Sequence, residues 1–311
     1  MGAVINLADV YAAYRRIRPY LHETPVVRSL SLEADLGKEL YFKAEPFQKT
    51  GSFKARGALN KALVCPEARG FVAASSGNHA LGVAYAARVL GRPAVAVIPE
   101  GASAVKKAAV RALGAEVIDQ GVDAENREAI AKEVARQRGF CFIHPFDDWE
   151  VMAGQGTVGL ELTHQAPFLD AVLVPVGGGG LISGVATAIK ALSPKTLVVG
   201  VEPALADDAR RSFISGRRVF LPGPPATIAD GVRTLALGER TFEVIKERVD
   251  EILVVSEEAI RRALELFVFR TKVFAEPTGA LALAAVLEHG ERLPGRLALV
   301  VSGGNGEPPR V

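Results

Sequence analysis

Residues 171–189 read AVLVPVGGGGLISGVATAI, an apolar strand pattern that leads through four consecutive glycines into a helical pattern. The segment carries no charge and approaches the length of a membrane span, but glycines at its centre would break a spanning helix. We therefore interpret it as a buried strand, a turn and a helix. Backbone N–H groups at the start of such a helix, together with the helix dipole, suit a phosphate dianion.

Two other uses of the glycine turn stay open when only the residues are considered. The glycines could serve close packing of the helix on the sheet, although a single glycine would suffice for that purpose. The turn could also bind a dinucleotide, because Glu202 lies near the end of the next predicted strand, where that fingerprint places an acidic residue.

Short apolar runs alternate with amphipathic helical patterns along the rest of the chain. The pattern predicts strands that begin at Leu40, Gly70, Pro93, Ala115, Phe140, Ala171, Thr196 and Leu297. Such alternation with short turns is typical of parallel sheets covered by helices. We expect two α/β domains, each with an open, twisted, mainly parallel sheet, and a cleft between them. The small domain is predicted at residues 67–148, and the large domain at residues 1–66 plus 149–311.

Length and composition exclude several classes of protein. The 311 residues are enough for about two domains. Their 37 basic and 35 acidic side chains leave a net charge of +2, which argues against nucleic acid or an anionic membrane as partner. The amino terminus does not resemble a signal peptide. The two cysteines, Cys65 and Cys141, make no framework of bridges or metal ligands, so we expect a reduced, cytoplasmic setting.

Two further polar turns follow predicted strands. SSGNH, residues 75–79, offers hydroxyls, a glycine N–H and an amide at a helix start, a set that can hold a carboxylate. Ordinary helix capping would also explain these residues. SGGN, residues 302–305, follows the last predicted strand. Polar turns at the carboxyl ends of strands build the ligand crevice of open α/β sheets.

Lys54 is the candidate nucleophile. It lies in KTGSFKARGALNKAL, residues 49–63, beside Phe53 and near a predicted helix start. Desolvation and the positive end of a helix dipole both lower the pKa of a lysine. A neutral amine is what Schiff-base chemistry requires, although a single lysine on a helix is more often a solvated charge.

Together these motifs resemble the fold type II pyridoxal phosphate enzymes, whose fold is tryptophan synthase β-like, and more narrowly the threonine or serine dehydratases and serine racemase. The matching segments follow the family order: EPFQKTGSFKARGA, AASSGNHALGVAYAA, AGQGTVGLEL, PVGGGGLISGVA, VEPALADDA, ADGVR, EPTGALALAA and VSGGN. The resemblance implies that the large domain binds the cofactor, with the active site in the cleft. The chain ends soon after SGGN, so we expect the short, catabolic type without a C-terminal regulatory domain.

The resemblance assigns a role to each matching position. It implies that Lys54 forms the Schiff base and that Lys54 and Ser76 are catalytic. It implies cofactor contacts at Phe53, Lys54, Asn78, Gly177, Gly178, Gly179, Gly180, Leu181, Gly231 and Ser302. It implies that the substrate carboxylate binds at Ser75, Ser76, Gly77 and His79. A divalent cation, Mg²⁺ or Ca²⁺, is expected at Glu202, the Ala206 carbonyl and Asp208.

These roles imply loss of water from L-threonine, and from L-serine, giving 2-oxobutyrate or pyruvate and ammonia. Serine racemase, with serine dehydratase activity, stays an alternative because Ser76 matches the second acid–base group of racemases and also occurs in dehydratases. HPFDD, residues 144–148, favours a dehydratase, since Phe146 stands where animal serine racemases have an amide. A sensor that binds the cofactor or an amino acid without turnover is a further alternative. The family leads us to expect a homodimer or homotetramer.

Overall fold

The computed structural model describes residues 4–75, 77–123 and 125–306. The strands are β1 (Val26–Val27), β2 (Glu39–Ala44), β3 (Phe71–Ala74), β4 (Ala94–Val97), β5 (Glu116–Ile118), β6 (Cys141–Phe142), β7 (Ala171–Pro175), β8 (Leu197–Pro203), β9 (Glu251–Val255) and β10 (Arg296–Val301). The helices are α1 (Leu7–Ile17), α2 (Leu30–Leu36), α3 (Lys54–Leu63), α4 (Asn78–Val89), α5 (Ala104–Ala112), α6 (Arg127–Arg138), α7 (Trp149–Gln165), α8 (Gly180–Leu192), α9 (Asp208–Ser215), α10 (Glu239–Arg248), α11 (Glu257–Leu266) and α12 (Leu281–His289).

The strands form two mainly parallel sheets, which confirms the predicted fold class. The larger sheet has the order β1-β2-β10-β7-β8-β9, and β1 is antiparallel to its neighbour. The smaller sheet, β5-β4-β3-β6, is parallel throughout. In the larger sheet Leu297 pairs with both Leu40 and Ala171, so the turns that follow β7 and β10 lie at the same edge. Within the described ranges, no helix is long and apolar enough to cross a bilayer.

Local side-chain hydrogen bonds explain one difference from the predicted helices. The sequence pattern places the start of α6 at Asp123, whereas the helix begins at Arg127. The Asp123 Oδ1 accepts a hydrogen bond from the backbone N–H of Asn126 at 2.8 Å. An aspartate that bonds to the backbone in this way favours a turn over a continuing helix.

Helix α3 packs between α4 and α7. Its residues Ala58 and Leu59 belong to the same hydrophobic cluster as Phe71 of β3. On another side it meets α7 so closely that a Cβ on Gly154 would lie 2.6 Å from the Arg56 carbonyl oxygen. All four strands of the smaller sheet lie between residues 67 and 148, while the exact domain boundaries stay a prediction because α3 is shared.

Four charged side chains are buried together beneath α3. The Arg56 guanidinium, on a side chain that is 1% exposed, lies 2.8 Å from Glu45 and 2.6 Å from Glu161. Lys43 Nζ lies 2.6 Å from the other oxygen of Glu161 and also donates to the Thr24 carbonyl oxygen. Burial opposes ionisation of Glu45, but Arg56 and Lys43 hold its pKa below the usual range. The four side chains form a buried ion cluster in which each charge has a partner of opposite sign.

Replacing Arg56 by methionine should destabilise the protein strongly, because Glu45 and Glu161 would then be buried without their shared cation. We expect a loss of about 3–5 kcal/mol in the free energy of unfolding, measured by urea titration. Glu161→Gln keeps the side-chain volume but removes one carboxylate charge, so its free energy of unfolding is a second test of the same cluster. Glu133→Gln is the matched control, because Glu133 pairs with Arg136 on the surface, and it should leave the urea midpoint unchanged. An R56M protein as stable as the parent would contradict the role of the cluster.

Candidate active site

A cavity of about 630 Å³ lies where the two sheets face each other, within the range of small-molecule sites. Its walls include the first residues of α3, α4 and α8 and the turn after β10. The predicted site residues that line it are Phe53, Lys54, Ser75, Gly77, Asn78, His79, Gly177, Gly178, Gly179, Gly180, Leu181, Gly231 and Ser302. Ser76 lies outside the described residues. Glu202, Ala206 and Asp208 do not line the cavity.

Lys54 is the first residue of α3, and its amine lies deep in the cavity wall. The Nζ atom donates a hydrogen bond to the Pro145 carbonyl oxygen at 2.8 Å and lies 5.1 Å from the centroid of the Phe53 ring. Burial lowers the pKa of Lys54 to about 8, while the nearby Glu276 acts in the opposite direction. The expectation of a lowered lysine pKa is confirmed, and the amine is available as a base or nucleophile near neutral pH.

The glycine turn is crowded by the protein itself. A Cβ on Gly178 would lie 2.3 Å from the Phe146 ring, and one on Gly180 would lie 2.9 Å from the Phe146 Cα. Gly179, with φ of 92°, caps α8 in the left-handed conformation. The expectation that one glycine would suffice for packing is therefore wrong. The turn also places the first residues of α8 on the cavity wall, and N–H groups there have no partner inside the helix.

Three buried polar atoms of residues that line the cavity have no hydrogen-bond partner among the described residues: Ser302 Oγ, His79 Nδ1 and Thr234 Oγ1. Leaving a buried polar group unpaired costs about 1–3 kcal/mol, so these atoms point to a ligand. His79 Nε2 lies 2.7 Å from the Ile143 carbonyl oxygen and must be the donor in that contact. Burial lowers the pKa of His79 to about 3, so the ring is neutral and its Nδ1 is an acceptor.

The Asn78 amide is held in one orientation by two partners. Its Nδ2 donates to Glu276 Oε1 at 2.7 Å, and its Oδ1 accepts from Asn305 Nδ2 at 2.8 Å. One amide hydrogen of Asn78 is therefore left for a ligand oxygen. Burial raises the pKa of Glu276 to about 7. Glu276 was missed in the sequence because an acidic residue before proline at a helix start is ordinary, although it lies in the matching segment EPTGALALAA.

A turn from the larger domain closes one side of the cavity. Gly231, in the short turn Asp230–Val232, donates its backbone N–H to Thr278 Oγ1 at 3.0 Å. A Cβ at this position would lie 2.8 Å from the same oxygen. Asp230 forms an ion pair with Lys106 of α5. The ion pair connects the two domains at the cavity, and the sequence alone did not predict it.

The predicted cation residues form a separate buried acidic site at the end of β8. The Glu202 carboxylate accepts the backbone N–H groups of Ala209 and Arg210 at 3.0 and 2.8 Å. Both carboxylate oxygens of Asp208 are buried without a partner among the described residues. Burial, and then repulsion by Asp208, raises the pKa of Glu202 well above its usual value, and burial raises that of Asp208 to about 7.

Comparison with known proteins identifies the family. The model of the pyridoxal-phosphate dependent enzymes matches residues 17–303, and the chain belongs to this family. A solved structure of threonine deaminase from T.th. has 60% sequence identity and a TM-score of 0.96, covering 98% of this chain and 100% of that one. Serine racemase of Oryza sativa subsp. indica is 42% identical over 98% of this chain and 92% of its own length. L-threo-3-hydroxyaspartate ammonia-lyase of Saccharomyces cerevisiae is 43% identical over 97% and 94%.

The reaction of Lys54 with an aldehyde should rise with pH through a midpoint near 8, because only the neutral amine reacts. Glu276→Gln should shift this midpoint to lower pH, because the carboxylate that raises the pKa of Lys54 is removed. The measurement is reductive labelling of the cofactor-free protein with pyridoxal phosphate and cyanoborohydride across pH, with peptide mapping. Exposed Lys132 in the same digest is the internal control. An upward shift in E276Q would contradict the proximity of the two groups.

Proposed function

We propose that this chain is a pyridoxal phosphate-dependent L-threonine dehydratase that also acts on L-serine. It would release ammonia with 2-oxobutyrate from threonine or with pyruvate from serine. The observation that carries the proposal is the Lys54 amine, which lines a cavity of suitable size and donates to the Pro145 carbonyl oxygen. Its lowered pKa, about 8, makes it available near neutral pH. The 60% identity to a threonine deaminase structure supports the choice of substrate.

The residues of the cavity fit the cofactor. In this proposal Lys54 holds the aldehyde carbon, the start of α8 receives the phosphate, and the free Asn78 N–H meets the ring oxygen. The unpartnered Ser302 hydroxyl, which is 2% exposed, meets the ring nitrogen. The phosphate cradle would consist of Gly177, Gly178, Gly179, Gly180 and Leu181. Phe53 and Gly231 would lie beside the ring.

When bound, pyridoxal phosphate supplies an electron sink for the charge left on the substrate α-carbon. Lys54 removes the α-proton, and its lowered pKa matches a general base that works near neutral pH. Ser302 offers a neutral hydroxyl where an aspartate would place a formal negative charge. We expect the weaker sink that results to favour prompt loss of the β-hydroxyl over longer-lived charge on the α-carbon.

The substrate carboxylate would bind at the start of α4. Gly77 donates its N–H to Ser75 Oγ at 3.2 Å, which folds the turn over the helix start. The His79 side chain is neutral and bonded to Ile143, so we propose that His79 contributes its backbone N–H. The positive end of the α4 dipole supports a carboxylate at this position.

Serine racemase activity is the second candidate, supported by the 42% identity to the rice serine racemase. That reaction needs a second acid–base group on the opposite face of the cofactor, the role proposed for Ser76. The Phe146 ring packs on Gly178. Phe146 stands at the position where animal serine racemases have an amide, and this difference favours a dehydratase. A sensor that binds without turnover is the third candidate, and a single set of assays separates the three.

Purified protein supplied with pyridoxal phosphate should convert L-threonine to 2-oxobutyrate and L-serine to pyruvate. Lys54→Ala should lose activity by about 10²–10⁴-fold or more, because the proton would have no base. Product analysis with L-threonine, L-serine and D-serine, with and without magnesium, is the measurement. Lys132→Ala is the control. Conversion of L-serine mainly to D-serine would establish the racemase instead, and a spectral change without product would establish the sensor.

We further propose that Glu202, Asp208 and the Ala206 carbonyl bind a divalent cation. The unpartnered Asp208 oxygens, buried beside a second carboxylate, suit a hard cation that prefers oxygen ligands. Within the described ranges no cluster of three or more His, Cys, Asp or Glu side chains could hold a metal. The remaining ligands would therefore be the carbonyl oxygen and water.

Saturating Mg²⁺ or Ca²⁺ should raise the Tm of the parent protein by about 5 °C, because binding stabilises the folded state. Asp208→Asn should remove most of this increase, since it deletes the unpartnered carboxylate. Asp207→Asn, at the neighbouring and more exposed position, is the matched control and should keep the increase. A parent protein whose Tm is insensitive to both cations would show that the site does not bind them.

A further inference from the structure

The two cysteines lie side by side, away from the residues that line the cavity. Cys65 follows the end of α3, and Cys141 is the first residue of β6. Their Sγ atoms are 2.7 Å apart although the residues are 76 positions apart in the chain. Both cysteines are half-buried and unlinked. A disulfide bond measures about 2.05 Å, so a small side-chain movement would close it.

Backbone contacts hold the two cysteines together independently of their sulfur atoms. The Cys141 N–H donates to the Gly70 carbonyl oxygen and the Arg69 N–H donates to that of Gly139, both at 2.9 Å. Cys141 also pairs in register with Phe71 of the neighbouring strand. The strand pairing therefore fixes Cys141 in place while its Sγ atom lies 2.7 Å from that of Cys65.

The surroundings of the pair make Cys65 the more reactive thiol. The two sulfur atoms lie within hydrogen-bond distance, and either can be the donor. Lys61, in the last turn of α3, lies four residues before Cys65. The hydrogen bond, and then the charge of Lys61, lower the pKa of Cys65 to about 7. The same contact raises the pKa of Cys141. Lys61 also forms an ion pair with Asp148 at 2.7 Å, which keeps its ammonium near the pair.

We propose that Cys65 and Cys141 are an intramolecular redox pair, oxidised by a peroxide to a disulfide and restored by a dithiol. The Cys65 thiolate attacks one oxygen of hydrogen peroxide, the O–O bond breaks, and sulfenic acid and hydroxide form. The Cys141 sulfur then attacks the Cys65 sulfur, and the S–O bond breaks as water leaves. Two thiols lose two electrons, and one peroxide becomes two waters once the hydroxide takes up the proton lost from Cys65.

The bond would join the far end of the Lys54 helix to the strand that leads into the cavity wall. After β6 the carbonyl oxygens of Ile143 and Pro145 accept hydrogen bonds from two side chains that line the cavity, those of His79 and Lys54. A disulfide would restrain this segment relative to α3. It would also close a long loop of the unfolded chain, which stabilises the folded protein.

The test is native oxidation of the full-length protein with a small excess of hydrogen peroxide, followed by alkylation and intact mass measurement. The oxidised chain should lose the mass of two hydrogen atoms and resist alkylation, and non-reducing peptide mapping should join the Cys65 and Cys141 peptides. The Tm should rise by about 5 °C and return to its initial value with dithiothreitol. These readouts do not depend on the cofactor or on turnover.

Two single variants distinguish the role of the Cys65 thiol from that of the Cys141 thiol. Cys141→Ser should stop at a sulfenic acid on Cys65, which dimedone traps, and Cys65→Ser should react more slowly. Neither variant should show the Tm increase. Oxygen addition at both cysteines of the parent, cross-links between chains, or no loss of hydrogen would overturn the proposal.

Discussion

Two cations and two carboxylates are buried together beneath α3: Arg56, Lys43, Glu45 and Glu161. Removing charges from water is costly, so each side chain remains buried only while its partners of opposite sign stay in place. The partners come from β2, the turn after it and α7, and together they hold α3. Because Lys54 lies two residues before Arg56, the position of its amine depends on this cluster as well as on its contact with Pro145.

The same helix connects the parts of the site. One face of α3 packs against α4, where a Cβ on Gly82 would lie 3.0 Å from the Lys54 carbonyl oxygen. Another face approaches α7 so closely that a Cβ on Gly57 would lie 2.4 Å from the Gln155 side chain. The glycine turn before α8 likewise contacts more than one part of the site. It leaves room for the Phe146 ring and brings the first turn of a helix to the cavity. Packing therefore requires the same glycines to which we assign the phosphate, and a glycine run alone does not distinguish the two uses.

The eight strands predicted from apolar runs are all present, because such runs between glycine or proline turns depend on near neighbours in the chain. β1 and β9 were not predicted. The two residues of β1 make no pattern, and their pairing depends on β2. The five residues of β9, EILVV, were not recognised as a strand. Most predicted site positions line one cavity, because parallel strands bring their following turns to one edge. Glu276 was not predicted as a site residue, since its contact with Asn78 joins residues 198 positions apart.

Local patterns in the chain were enough to establish the alternating α/β architecture and the glycine turns, because these features follow from periodicity and turn chemistry. The role expected for Lys54 came from the family resemblance, since a single lysine on a helix is more often a solvated charge. The contact of Lys54 with the Pro145 carbonyl oxygen, the neutral state of His79 and the adjacency of Cys65 and Cys141 became visible only in the folded molecule. Exclusion of water and the distance to charges and partners determine these properties. The residues that exclude water and the residues that carry the charges come from segments far apart in the chain. No local run of residues shows which of these segments will be in contact.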